Sequence, residues 1–171
     1  MDYFINHQEN EPKILIIGIG NEFRNDDGIG LYIVRRLRKL NFQNVTILEK
    51  SGEGTELMEA WQNNSRVFLF DAVRSGAKPG AIFRLTAHEE KIPQKFFNYS
   101  THDFSLAEAV ELARVLNQLP PFIVIYGVEG KDFSEGRELS DEVKQAADKV
   151  TTQFLDEIKN LKCEKVYSLE V

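Results

Sequence analysis

Cysteine is almost absent: Cys163 stands alone among 171 residues. That excludes an intrachain disulfide and a cysteine-rich metal cluster, and it fits a reducing cytoplasm. No apolar run approaches the roughly 20 residues needed to cross a bilayer. The opening residues, MDYFINHQENEPK, lack the basic segment and apolar stretch of a signal peptide. A cytoplasmic chain without a membrane partner is the expectation. Cations are in the minority, with 21 Lys and Arg against 27 Asp and Glu and a net charge of -6. This argues against affinity gained by coating a phosphate backbone, so nucleic acid is not an expected partner. Compact catalytic signatures are missing too. The chain has no His-x-x-x-His pair, no Gly-x-Ser-x-Gly elbow and no Gly-Lys-Ser/Thr phosphate loop, and Cys163 lies in a charged segment, so neither a serine nor a cysteine nucleophile is indicated.

What the chain does have is a hydrophobic content of 42%, enough for one domain with a substantial core. The run "ILIIG" (Ile14 to Gly18) is aliphatic throughout, as in a strand covered on both faces. After a polar loop, Ile29, Ile33, Leu37 and Leu40 recur at helical spacing. Arg35, Arg36, Arg38 and Lys39 sit near the end of that helix, where cations complement its dipole. The pattern repeats: "NVTILE" reads as a strand, Thr55 to Asn63 as a short helix, and "RVFLFDAV" as a third strand. A breaker, "RSGAKPG", precedes the hairpin-like strand "AIFRLT". Ser105 and Glu108 form a capping-box pattern at a helix start. "FIVIYGV" (Phe122 to Val128) is a buried strand, and Ser140, Asp141 and Glu142 open a last amphipathic helix reaching about Leu161. Alternating strands and helices predict an α/β fold: a single-domain three-layer sandwich, its mostly parallel twisted sheet carrying helices on both faces. The domain spans residues 1–171, with its core at about 13–161 and loose ends, Cys163 to Val171 being a tail or an added edge element.

In open α/β sheets ligands gather at the carboxyl ends of the strands. There the first strand leads to Asn21, Asp26 and Asp27, the third ends in Asp71, and His102 stands in "STHD" before the capped helix. Two carboxylates and an imidazole make an oxygen and nitrogen donor set suited to a borderline divalent ion such as nickel or zinc. The plainer readings stand beside this one. Asp26 or Asp27 caps the helix that begins near Gly28, Asp71 accepts from loop amides, and His102 is an ordinary turn residue. "GIGNEF" has glycines at 18 and 20 but Phe23 where a dinucleotide fingerprint wants glycine, so a nucleotide role has little support. The loops near Gly52 to Thr55 and across "GKDFSEGRE" are candidates for partner contacts.

Taken in order, "ILIIGIGNEFRNDDGIG", "SGEGTELM", "FLFDAV", "STHDFSLAEAVELA" and "VIYGVEG" resemble the hydrogenase maturation protease family over nearly the whole chain. The resemblance implies an endopeptidase that removes the C-terminal extension of a nickel-iron hydrogenase large-subunit precursor. It also implies a trio of Asp27, Asp71 and His102 contacting nickel, in a catalytic or a recognition role. The nickel would be carried by the precursor rather than resident. "SGEGTELM" resembles the family's substrate-recognition turn, with Glu49 where many relatives have aspartate. Two other readings are a non-catalytic flavodoxin-like module that binds a metal or nucleotide, and a zinc hydrolase with a resident ion.

Overall fold

The computed structural model describes residues 13–93, 96 and 104–167. Five strands form one sheet: β1 (Ile14–Ile19), β2 (Val45–Lys50), β3 (Arg66–Val73), β4 (Ile82–Thr86) and β5 (Phe122–Glu129), in the order β2-β1-β3-β5-β4. The β1–β2, β1–β3 and β3–β5 pairs are parallel, and β4 runs antiparallel to β5. The expectation of a mostly parallel α/β sheet holds. The strand after the breaker differs from its hairpin-like reading: it pairs with β5, which follows it in sequence, and not with β3, which precedes it. The central position beside β3 goes to β5, whose residues after Phe122 are all buried, while the half-exposed β4 takes the rim.

Side-chain alternation divides the sheet into two faces. Ile14 and Ile16 of β1, with Phe68 and Phe70 of β3, pack under helices α1 (Ile29–Arg38) and α4 (Asp141–Tyr167). Leu15, Ile17, Val67 and Leu69 face the other way, towards α2 (Gly54–Trp61) and α3 (Leu106–Val115). All six residues of β1 are buried, which accounts for the unbroken aliphatic run. On the α4 side, Phe154 meets Phe68 and Phe70 edge-on with ring centroids 5.0 and 5.2 Å apart, a favoured aromatic geometry. Helix α4 extends beyond Leu161 to Tyr167, so the segment from Cys163, read as a tail, begins as helix. Helix α3 starts with its capping box, the Ser105 side chain accepting from the N3 backbone and the Ser105 amide donating to Glu108 Oε2 at 2.8 Å; the Ser105 hydroxyl also donates to that oxygen at 3.0 Å.

One close approach sets the position of α1. Gly30, in its first turn, lies against the β1 and β3 backbones, and a Cβ there would collide with the carbonyl oxygens of Ile19 and Phe70. Gly18 faces the same contact from the strand side, with Gly30 and Val34 in its path. Backbone on both sides leaves no flexible side chain to yield. Gly30→Ala is expected to lower stability by about 3 kcal/mol or more, read as a fall in the denaturant midpoint. An unchanged midpoint would show that α1 is free to shift outward.

Candidate active site

The chain order places β2 on one side of β1 and β3 on the other, which creates a topological switch point at the carboxyl ends of β1 and β3. A cleft of about 610 Å³ opens there. Its walls include Asn21 and Phe23 from the loop after β1, Asp71 and Arg74 from the end of β3, Gly52 from the loop after β2, and Phe133. Asp71 is one residue beyond the last β1–β3 pair, Gly18 with Phe70. The first strand has turned away at Gly20, so this end of β3 borders open space.

The paired aspartates do different work. Asn25–Gly28 forms a short 3-10 helix, whose tight winding sends adjacent side chains in different directions. Asp27 is half-buried and lines the cleft. Asp26 is fully buried. Its Oδ2 accepts from the Lys131 amide at 2.8 Å, the Asp132 amide at 2.9 Å and the Ser140 hydroxyl at 3.0 Å. Its Oδ1 accepts from the Ser140 amide at 2.7 Å. Neither aspartate caps α1, whose N-cap is Gly28 without a side-chain cap bond. Asn25 reinforces the same attachment: its amide nitrogen donates to Asp132 at 3.0 Å, and its carbonyl oxygen accepts from the Glu138 amide at 3.1 Å. Residues 131–140 are thereby tied to the turn that presents Asp27, and they bring Phe133 to the cleft wall.

Electrostatics in the cleft disfavours two negative charges. Desolvation by the surrounding protein, then the nearby Asp27 carboxylate, push the Asp71 carboxyl well above its ordinary pKa. The Ala72 amide, donating to Asp71 Oδ1 at 2.8 Å, offsets only part of this. Glu49 has the opposite setting at the rim. Arg35 holds it through Nε and Nη2 at 3.0 and 2.8 Å, and Arg38 Nη1 reaches its other oxygen at 2.8 Å. The Arg35 hydrogen bond, assisted by Arg38 and opposed by burial, lowers its pKa. Arg35 also reaches Glu22 at 3.2 Å. Ser51, Gly52 and Glu56 line the wall beside them.

Two of the three expected site residues, Asp27 and Asp71, therefore meet in one cleft. His102 lies outside the described residues. Among the described residues no group of three or more His, Cys, Asp or Glu side chains could hold a metal ion. The roles of Asp26, Asn25 and Phe133 are absent from the sequence reading. The contacts that define them join residues 105 to 114 positions apart, and no local spacing announces them. The second glycine-bearing loop, "GKDFSEGRE", was the available signal.

Residues 31–157 match the family described as Hydrogenase maturation protease. The chain belongs to the hydrogenase maturation protease family. It is 31% identical to the hydrogenase 2 maturation protease of Escherichia coli, over 68% of this chain and 72% of that one. A Methanocaldococcus jannaschii protein carrying the same family designation is 29% identical over 87% of this chain and 98% of its own length. Among solved structures, the [NiFe] hydrogenase maturation protease HybD from Thermococcus kodakarensis superposes with a TM-score of 0.66 at 26% identity, covering 85% of this chain and 98% of that one. The enzyme is thus a peptidase, and the cleft at the β1/β3 switch point is its candidate active site. Among the described residues, no helix of this maturation protease is long and apolar enough to cross a membrane.

Two outcomes test this geometry. Asp26→Asn keeps the shape but turns an amide N–H towards donors, so it should cost about 3 kcal/mol and lower the melting temperature by roughly 6–12 °C. Faster hydrogen exchange at the Lys131, Asp132 and Ser140 amides should accompany it, and unchanged exchange would remove the anchoring role. For Asp71, a folded-state pKa above the unfolded one means that the folded chain binds more protons, so its contribution to stability falls as pH rises through the window between the two values. Asp71→Asn retains an acceptor for the Ala72 amide and should melt higher than the wild type at neutral pH. That gain should shrink as pH drops towards the ordinary carboxylate range, whereas a gain constant with pH would contradict the electrostatic cause.

Proposed function

We propose that this maturation protease removes the C-terminal extension of a nickel-iron hydrogenase large-subunit precursor after nickel insertion, with Asp27, Asp71 and His102 contacting the nickel. The observation that carries the proposal is the meeting of Asp27 and Asp71 in one cleft, where the Asp27 charge raises the cost of ionising Asp71. A divalent cation delivered by the substrate relieves that cost and gains two oxygen donors. His102, in the segment leading to α3, supplies the nitrogen donor of the set. The nickel enters as part of the substrate, and its contacts position the peptide to be cut, so a precursor lacking metal is held badly and cleaved slowly. E. coli and T. kodakarensis relatives bear names of the same activity, which supports the hydrogenase precursor as partner. A cytoplasmic location is consistent with Cys163 being the lone cysteine of the chain.

The test combines the purified enzyme with nickel-loaded or nickel-free precursor and detects the released C-terminal peptide by mass spectrometry. Release only from the loaded form is expected. Asp27→Ala and His102→Ala should stay folded and cleave the loaded precursor at least about 100-fold more slowly, the scale of loss for a misplaced substrate. Equal cleavage of both precursor forms would discard nickel as the gate, and normal cleavage by both variants would discard the assigned residues.

A further inference from the structure

A second concavity adjoins the cleft, formed by Asn21, Phe23, Arg24, Glu135, Gly136 and Arg137. Asn21 and Phe23 line both, so the groove lies directly beside the cleft, across the Phe23 side chain. Phe23 is a large apolar side chain left 53% exposed, although the Arg137 guanidinium lies 4.3 Å from its ring centroid. The groove is firmly built. The Gly136 amide donates to the Phe23 carbonyl at 2.9 Å and the Asn25 amide to the Gly136 carbonyl at 3.0 Å. Arg24 and Gly136 form a β-bridge.

Charge adds direction. Arg35, Arg36 and Arg38 are all engaged by carboxylates, whereas Arg24 and Arg137 make no ion pair among the described residues. With Glu135 included, the groove carries one excess positive charge on a chain whose net charge is -6. A rigid aromatic beside two unpaired guanidinium groups fits an extended peptide that carries an apolar side chain next to a carboxylate.

Resting on the substrate reading above, we propose that this groove is an exosite for the precursor's C-terminal extension: an apolar residue of the extension packs on Phe23, and an acidic one pairs with Arg24 and Arg137. The clamp by Asn25 and Asp26 preorganises the groove, because it fixes residues 131–140 before the peptide arrives.

The test measures the dissociation constants of wild type, R24E/R137E and Phe23→Ala for nickel-loaded precursor, and for the same large subunit lacking its extension. Circular dichroism verifies folding, and Arg137→Gln replaces the charge reversal if that variant is destabilised. For the precursor, the charge-reversed variant should bind about tenfold more weakly, a loss that added salt diminishes, and Phe23→Ala severalfold more weakly. In cleavage assays the loss should fall on KM rather than kcat. For the shortened subunit, all variants should match the wild type. Unchanged affinity for the precursor overturns the exosite, as does an equal loss for both forms, which would place the contact on the body of the subunit. Binding is read separately from cutting, so a wild type that binds the precursor but does not trim it removes the nickel-gated trimming while the groove is still judged. A wild type that binds neither form overturns the groove.

Discussion

The buried carboxylate of Asp26 organises the face of the molecule that carries the candidate active site. It gathers three backbone amides and one hydroxyl from residues 131–140. A fully buried acid is tolerated only when hydrogen bonds replace its lost hydration, and this one is supplied by a loop with little apolar content of its own. The dependence is mutual. Without the carboxylate the loop amides lose their acceptor, and without the loop the charge loses its solvation. The neighbour in sequence, Asp27, is released to face the cleft because a tight turn cannot send two successive side chains the same way.

Close packing and charge then act together on the same cleft. Gly18 and Gly30 let α1 rest directly on the β1 and β3 backbones, which draws the turn bearing Asp27 over the end of β3, where Asp71 waits. That convergence is unfavourable on its own, since desolvation and the Asp27 charge both resist ionisation of Asp71. Such tension between stability and site geometry is common where binding supplies the missing partner. The rest of the fold absorbs it through a core in which Phe68, Phe70 and Phe154 interlock beneath the sheet.

The rim follows another logic. The arginines at the end of α1 were legible as complements to the helix dipole, yet Arg35 and Arg38 extend across to Glu49 at the end of β2. Glu49 thereby becomes a neutralised wall rather than a free acid. Arg24 and Arg137, in the concavity beside the cleft, have no such carboxylate partner among the described residues, so positive charge is available on that side of the rim.

Periodicity and local chemistry determined much of this protein. The aliphatic run of β1, the 3.6-residue repeat of α1 and the Ser105–Glu108 cap are short-range patterns, and each element formed where its pattern lay. The ordered motifs likewise pointed to the family, and with it to Asp27 and Asp71. Tertiary structure decided which of two adjacent aspartates is structural, that β4 pairs with the later β5, and that Phe133 and Arg137 border the site. Those outcomes depend on contacts between residues far apart in the chain, from about 40 positions for the β4–β5 pairs to 114 for Asp26 and Ser140. A carboxylate's role is set by the donors that surround it after folding, and no local spacing in the chain encodes those.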